Sequence, residues 1–260
     1  MDNGIINLSN GQLLSTYLLV IVVIVISSLN GVDRKKEILI STIRMTVQLF
    51  IAGSVLVFIF GTKSALFPLL MFIIMEAFAI YNVITSSKKK ISSGLKKIIS
   101  FSIFIGTTSI LLFFLIVVVR VKPFYNPQYL IPLGGMIIGN AMTAVNLSLK
   151  TMLTNINDQR DIIEGSLMLG ATPRTSMDKI IQNTFDTALM PTVDRMKTMG
   201  IISLPGMMTG QILSGTSPIT AIKYQIAIMI AIMAATSISV FLFLNFGYKD
   251  FFNDEDQLKY

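Results

Sequence analysis

The chain has 260 residues, of which 53% are hydrophobic and 13% charged, and its formal net charge is +7. A mean hydropathy of +0.72 excludes an ordinary soluble domain. The positive charge therefore indicates lysines and arginines on the cytoplasmic side of a membrane, and no nucleic-acid partner is expected. With no Cys and no His, the chain lacks disulfides, thiolate chemistry and the commonest transition-metal ligand.

Seven apolar segments are predicted to span a lipid bilayer, because about 20 apolar residues cross a hydrocarbon layer of about 30 Å. These spans are about 13–29, 45–60, 65–84, 98–119, 130–149, 196–213 and 219–246. No basic residues precede the first span, so we interpret it as a retained span and not a cleaved signal peptide. The predicted fold is all-α, a single polytopic transmembrane domain over residues 1–260. The polar, helical stretch 150–195 is predicted to be a cytoplasmic coupling region.

The distribution of basic residues predicts the orientation in the cytoplasmic membrane. Connectors after spans one, three and five hold Arg34, Lys35, Lys36, Arg44, Lys88, Lys89, Lys90, Lys96, Lys97, Lys150, Arg160, Arg174 and Lys179. Connectors after spans two, four and six hold only Lys63, Arg120, Lys122 and Lys223. The positive-inside rule places the first group in the cytoplasm, with the N-terminus outside and the C-terminus inside.

The segment EGSLMLGATPR, residues 164–174, predicts a helix, a tight turn and a second helix. Gly170 is the residue type that ends a helix in the left-handed conformation, and Thr172 caps a new helix with Pro173 at its first position. Acidic residues are predicted in the first turns of the first helix, where the helix dipole favours them: Asp158, Asp161 and Glu164. Apolar residues at helical spacing predict one stripe: Ile162, Ile163, Leu167 and Met168. Spacing alone leaves two interpretations, a solvated loop or a docking knob for a soluble partner.

Glu164-Gly165-Ser166, followed three residues later by Gly170-Ala171-Thr172-Pro173, resembles the EAA loop of ATP-binding-cassette permeases. In that family the loop is the coupling helix, which sits in a groove of the ATPase subunit. Here Gly165 and Ser166 replace two alanines, and Gln182-Asn183 replaces the Leu-Pro that usually follows the position of Ile180. The resemblance implies the coupling residues Glu164, Gly165, Gly170, Ala171, Pro173 and Arg174.

Three further segments are similar to the FetB-type iron-export permease family, which includes plant aluminium-tolerance relatives. They are MGIISLPGMMTGQIL at 199–213, GMIIGN at 135–140 and AIKYQI at 221–226. This resemblance implies a permease that exports iron or another metal ion, as a homodimer with two copies of a cytoplasmic FetA-like ATPase. The chain has no G-x-x-x-x-G-K-[ST] loop, so ATP is expected on the partner and no cofactor on this chain. The plant relatives leave a non-metal cargo such as a nucleotide sugar as an alternative.

Pro205-Gly206 is predicted to break the sixth span, and irregular backbone at membrane depth is tolerated only inside protein or along a cavity. We therefore predict a translocation path near this break, with further candidates Asn140, Thr143, Met207, Met208, Gly210 and Gln211. The alternatives are that the amides join helices and that the methionines are packing material. Two glycine pairs, Gly135 with Gly139 and Gly206 with Gly210, have the spacing of close helix contacts.

Glu76 lies near the middle of the third predicted span, where an isolated carboxylate costs about 3 kcal/mol or more. It is the candidate metal or proton site of the path, and the alternative is a structural glutamate partnered by Gln48 or Arg44. If Glu76 couples an ion flow, the chain is an ion-coupled secondary transporter that needs no ATPase. A non-transporting sensor or assembly factor is another alternative. An enzyme is not expected, because no paired carboxylates fall within the spans.

Overall fold

The computed structural model describes residues 8–32, 34–62, 64–87 and 91–259. In this part of the chain the helices are α1 (Asn10–Leu29), α2 (Lys35–Gly61), α3 (Leu66–Ser86), α4 (Ser93–Phe113), α5 (Pro127–Asp158), α6 (Arg160–Met168), α7 (Pro173–Thr198), α8 (Gly206–Leu213) and α9 (Pro218–Gly247). A π-helical turn, Phe114–Val118, follows α4, and a 3₁₀ turn, Tyr248–Phe251, follows α9. These described residues include no β-strand. Lys63, Lys88, Lys89 and Lys90, used in the predicted orientation, lie outside them.

Six helical segments of the described chain are long and apolar enough to cross a membrane. They are Asn10–Leu29, Lys35–Gly61, Leu66–Ser86, Ser93–Val118, Pro127–Asp158 and Pro218–Phe251. Each contains most or all of one predicted span. The prediction of an all-helical, polytopic membrane protein is confirmed.

The chain divides into two compact units. The smaller unit contains α1 and α2 together with Leu213–Gly215. In it, the hydroxyl groups of Tyr17 on α1 and Thr46 on α2 form a hydrogen bond of 2.6 Å. The larger unit contains α3 to α7, α9 and the residues of α8 up to Ile212.

In the larger unit, α3, α5 and α9 point one way and α4 points the other. A Cβ atom placed on Gly134, near the start of α5, would lie 3.3 Å from the side chain of Leu111, near the end of α4. A Cβ atom placed on Gly247, the last residue of α9, would lie 3.3 Å from the side chain of Leu95, near the start of α4. Ser86, at the end of α3, donates a 2.5 Å hydrogen bond to Asn146 in the second half of α5. We call the end where α4 begins and α9 finishes the elbow end, and the opposite one the far end.

α7 returns the chain from the elbow end toward the far end, antiparallel to α9. The Arg174 guanidinium lies 5.2 Å from the ring centre of Tyr248, just after α9, and Gln225, early in α9, donates to the Met199 sulfur at 3.7 Å. At 1.5 Å per residue, its 26 residues measure about 39 Å. α7 therefore runs beside α9 for almost its whole length.

The predicted sixth span, 196–213, needs correction. α7 ends at Thr198, residues 199–205 are not helical, and α8 has eight residues, a length of about 12 Å that is too short to cross a bilayer. The helix that carries the chain back from the elbow end to the far end, between the parallel helices α5 and α9, is instead α7. Most of α7 lies within the predicted coupling region 150–195. The apolar residues of α7 are concentrated on its buried side, although Met190 and Met196 are exposed, and its average hydropathy is low.

Two hydrophobic clusters form the core of the larger unit. The elbow-end cluster joins α3, α4, α5, α6, α7, α9 and the 3₁₀ turn, and it includes Leu95, Val145, Ile163, Ile180 and Phe243. The far-end cluster joins α3, the end of α4 and the starts of α5 and α9, and includes Phe72, Phe114, Leu133 and Ile228. The buried side of α7 thus packs in the same cluster as α5 and α9, which fixes it to the bundle.

Candidate functional site

The elbow between α6 and α7 is a tight turn built around Gly170. Gly170 has a φ of +89°, its N–H donates to the Leu167 carbonyl at 2.9 Å, and the Ala171 N–H donates to the Ser166 carbonyl at 3.0 Å. This hydrogen-bond pattern is the Schellman motif, which needs a left-handed residue after the helix. The predicted role of Gly170 as the helix terminator is confirmed.

α7 begins directly after this turn, at the predicted position. Thr172 is in the extended conformation, and its hydroxyl accepts a hydrogen bond of 3.3 Å from the Thr175 N–H. Pro173 occupies the first helical position, where its missing N–H has no consequence. The caps on both sides of the turn hold the elbow in a defined conformation.

The predicted apolar stripe of α6 divides into a buried side and an exposed one. Ile163 is 1% exposed in the elbow-end cluster, and Leu167 packs against that cluster. Ile162 faces outward, because successive residues of a helix point about 100° apart. Met168 and Leu169 are 86% and 91% exposed. The elbow is therefore anchored by one pair of apolar residues and presents another set at its surface, which we call the elbow tip (Ile162, Met168 and Leu169).

The charged residues of the elbow pair along their own helices. Glu164 accepts from Arg160 at 2.8 Å, and Arg174 lies 3.2 Å from Asp178 while stacking on Tyr248. Of the three acidic residues predicted in the first turns of α6, Asp161 lies there, Asp158 ends α5 and Glu164 lies in the second turn. The ion pairs are exposed and stabilise little, so the caps and the buried Ile163 position the elbow.

A groove of about 600 Å³ separates the elbow from the C-terminal turn. Its walls include Met168 and Gly170 on one side and Glu255 and Leu258 on the other. The C-terminal turn is closed by a bridge between Phe252 and Leu258. The elbow tip is thus accessible from two sides.

Asn140, a predicted path residue, joins α5 to α7. Its side-chain oxygen accepts a 2.6 Å hydrogen bond from Arg195, and its side-chain nitrogen donates to the Met136 carbonyl at 2.7 Å. Thr143, one turn further on, donates to the Gly139 carbonyl at 2.9 Å within its own helix. Arg195 was not among the functional candidates predicted from the sequence, although a basic residue in the turn before Met199 was the available signal.

The other predicted path residues lie toward the far end of the larger unit. The helix break at Pro205 is present, and α8 begins at Gly206. Met208 is buried, Met207 packs against the far-end cluster, and Gly210 and Gln211 lie on α8. Their place beyond Met199 differs from the mid-span position predicted for the break, because α7 carries the chain most of the way to the far end.

The glycine contacts differ from the predicted ones. A Cβ on Gly139, Gly206 or Gly210 would meet no atom within 4 Å, and one on Gly135 would meet only the flexible end of Met75. The close helix contact lies instead at Gly106 on α4. A Cβ there would overlap the Ser239 hydroxyl and would stand 2.9 Å from the Ser239 backbone nitrogen.

Glu76 is 2% exposed and lies inside the larger unit. The Thr107 hydroxyl on α4 donates to its Oε1 atom, a partner that was not among those predicted from the sequence. Oε2 has no hydrogen-bond partner in the described part of the chain. Within those same residues, no group of three or more acidic, His or Cys side chains could hold a metal ion. Glu76 therefore links α3 to α4 from a buried position.

Comparison with known proteins places the chain in a family. Residues 10–252 match the family described as "Uncharacterised protein family (UPF0014)". The chain belongs to the UPF0014 family. No solved structure matches it.

Three relatives of this UPF0014 protein show how far the similarity extends. It is 35% identical to "Probable iron export permease protein FetB" of Escherichia coli (strain K12), over 97% of this chain and 95% of that protein. It is 38% identical to "UPF0014 membrane protein STAR2" of Oryza sativa subsp. japonica, over 85% and 76% of the two chains. It is 33% identical to "Protein ALUMINUM SENSITIVE 3" of Arabidopsis thaliana, over 92% and 86%. The family resemblance expected from the sequence is confirmed, and this UPF0014 member is a multi-pass membrane protein.

Proposed function

We propose that this UPF0014 protein is the permease subunit of an ATP-driven transporter of the ATP-binding-cassette class, which exports iron or another metal ion. A separate FetA-like ATPase binds the elbow tip, and two copies of the chain form the transmembrane part. The exposed elbow tip is the observation that carries this proposal. The similarity to a relative named an iron export permease supports the cargo and the direction.

The elbow has the properties of a docking element. Met168 and Leu169 are almost fully exposed, and exposed apolar clusters of this kind mark contacts with other proteins. Ile163 and the caps at Gly170 and Thr172 hold the tip in place. A partner therefore meets a preformed surface, which reduces the entropy lost on binding.

The charges of the larger unit support a cytoplasmic elbow. The elbow end carries eight basic residues, Lys96, Lys97, Lys150, Arg160, Arg174, Lys179, Lys249 and Lys259, whereas five, Arg120, Lys122, Arg195, Lys197 and Lys223, lie toward the far end. The excess at the elbow end favours the cytoplasmic side of the cytoplasmic membrane, where an ATPase has access to ATP. With α7 as a seventh crossing, the N-terminus is outside and the C-terminus inside.

The continuity of α7 supports a mechanical role for the elbow. α7 begins at the elbow and reaches Met199 near the far end. Movement of the elbow by a closing ATPase pair therefore tilts a helix that contacts α5 through Asn140 and leads into the irregular segment 199–205. This movement switches access to the passage between the two sides of the membrane.

The burial of Glu76 argues against an ion-coupled secondary transporter. A coupling carboxylate exchanges its ion with water, whereas Glu76 is enclosed and hydrogen-bonded to Thr107. We therefore propose a structural role for Glu76 in place of the metal site predicted from the sequence.

The decisive experiment is capture of the ATPase by a tagged chain from membranes that contain both proteins. The double variant Met168→Ser/Leu169→Ser is expected to lose capture and to fold normally, since both side chains are exposed. The matched control is Ile201→Ser/Ile202→Ser, because these residues are also exposed, Ile201 by 89%, but lie beyond Met199. Capture by the elbow variant equal to that by the control would contradict the docking role.

Proteoliposomes that contain the chain and the ATPase test transport and cargo. ATP-dependent movement of ferrous iron is expected, and no movement is expected without the ATPase. Transport by the chain alone would support the secondary transporter instead. Movement of a nucleotide sugar in place of iron would retain the ATP-driven mechanism and replace the cargo.

A further inference from the structure

The outward face of α7 lies at the depth of a membrane-spanning helix. α7 runs beside α9 from Tyr248 to Gln225, and α9 belongs to the apolar segment Pro218–Phe251. Asp186 is close to midway between Arg174 and Met199. Since α9 crosses the bilayer, Asp186 therefore lies near the middle of the hydrocarbon layer.

This face of α7 is mainly polar, with Met190, Pro191 and Met196 as its exposed apolar residues, whereas the outward face of its neighbour α9 is apolar. The exposed polar residues of α7 are Thr175, Lys179, Gln182, Asn183, Asp186, Thr187, Asp194, Arg195 and Lys197. The exposed residues of α9 include Ile226, Ile230 and Phe241. Lipid is a suitable neighbour for α9 but not for α7, because polar groups at this depth require protein or water.

Asp186 is the charged residue nearest the centre of this face, and Lys179 lies two turns away on the same side. Lys197 lies 3.1 Å from Asp194, and Arg195 donates to Asn140. Among the described residues, Asp186 forms no ion pair. One turn away on the same face are the amide groups of Gln182 and Asn183 and the thioether of Met190. Carboxylate, amide and thioether groups are all established ligands of metal cations.

We propose that the outward face of α7 lines a water-filled passage and that Asp186 contacts a cationic cargo in it. This inference rests on the proposed function, with a second copy of the chain as the opposite wall. The passage supplies the water that the polar residues need, and the carboxylate raises the local concentration of cations. The path residues Asn140 and Thr143 lie on α5, which packs against α7.

The absence of Cys from the sequence allows a test with single-cysteine variants in the native chain. Met190→Cys and Asn183→Cys are treated in membranes with a charged, water-soluble methanethiosulfonate. The reference variants are Glu255→Cys on the exposed C-terminal turn and Ile230→Cys on the lipid side of α9. We expect the α7 variants to react within about tenfold of Glu255→Cys and Ile230→Cys to react at least about a hundredfold more slowly, because only a hydrated thiol forms the reactive thiolate. Reaction of both α7 variants as slowly as Ile230→Cys would overturn the passage.

A second measurement tests Asp186 without transport or a known cargo. In Met190→Cys, the rate ratio of a cationic to an anionic methanethiosulfonate reports the local potential. We expect Asp186→Asn to lower this ratio about fivefold or more, whereas the matched control Glu255→Gln leaves it unchanged. An unchanged ratio in the Asp186→Asn variant would overturn the cation-contact role. Neither measurement uses the ATPase, so a failure here is distinct from a failure of ATPase capture.

Discussion

α7 and α9 are neighbouring antiparallel helices of similar reach, yet only α9 is recognisable as a membrane helix from its sequence. α9 is apolar on almost every side, with Ile230 outward and Phe243 inward. α7 is apolar mainly inward, where Met177 and Ala188 are buried, and it is mostly polar outward, where Met190 is exposed. A helix that borders lipid must be apolar all round, whereas one that faces a passage needs only one apolar side.

The largest expected effect is the difference in stability between a charge placed on the outward face of α9 and one placed on the outward face of α7. Ile230→Asp places a charge on the apolar face of α9 and is expected to destabilise the folded protein by about 3 kcal/mol. Met190→Asp, on the polar face of α7, is expected to have a much smaller effect. The measurement is the thermal unfolding temperature in lipid nanodiscs. An equal decrease in the unfolding temperature of the two variants would indicate that both faces contact lipid.

The second prediction concerns the inward side of α9, where Gly106 of α4 approaches Ser239. Gly106→Ala is expected to destabilise the protein by about 1–3 kcal/mol, because its Cβ overlaps the hydroxyl and backbone of Ser239. Gly139→Ala is the control, since no atom lies within 4 Å of its Cβ position. Thermal unfolding in the same nanodiscs distinguishes them, and an unaffected Gly106→Ala variant would show that α4 and α9 are less closely packed.

The third prediction concerns the start of α7. Gly170→Ala is expected to destabilise the protein by about 1 kcal/mol, because alanine is disfavoured at a φ of +89°. Gly165→Ala, inside α6 with open space around its Cβ position, is expected to be neutral or stabilising by about 0.5–1 kcal/mol. Equilibrium unfolding in mild detergent measures both variants. The same sign for both changes would contradict the left-handed turn.

The smallest expected effect is the link between α7 and α5. A double-mutant cycle on Arg195→Ala and Asn140→Ala is expected to give a coupling free energy of about 0.6 kcal/mol, the typical value for a hydrogen bond between membrane helices. The cycle uses free energies of unfolding. Arg195 with Thr143→Ala is the matched control, since Thr143 bonds within its own helix. If the losses of unfolding free energy in Arg195→Ala and Asn140→Ala are additive in the double variant, the two residues do not stabilise each other.

The elbow shows how much of a site local sequence rules predict. Gly170, Thr172 and Pro173 have the predicted roles because each acts on the backbone of its immediate neighbours. The apolar stripe on α6 was predicted, but which of its residues are buried was not, since Ile162 and Ile163 are equally apolar. Which of the two is buried depends on the position of the elbow-end cluster, which is built from distant parts of the chain.

The interior of the larger unit was predicted less well. Glycine spacing indicated close contacts at Gly139 and Gly206, whereas the contact is at Gly106. Glu76 was predicted as a metal or proton site, with Gln48 or Arg44 as partners in the alternative structural role, and its observed partner is Thr107 on α4. Such pairings depend on the rotation and depth of each helix, to which many weak contacts contribute and which a single segment does not encode.

The sequence by itself determined that this UPF0014 protein is helical and membrane-embedded, where six of its apolar segments lie, and how the elbow turns. These properties follow from hydropathy and from local backbone preferences, which act over a few residues. Only the tertiary structure showed that α7 belongs to the bundle and that Asp186 lies at its mid-depth. The physical reason is that one apolar side is sufficient to pack α7 against its neighbours, while its polar side lowers the average hydropathy on which a prediction of spans relies.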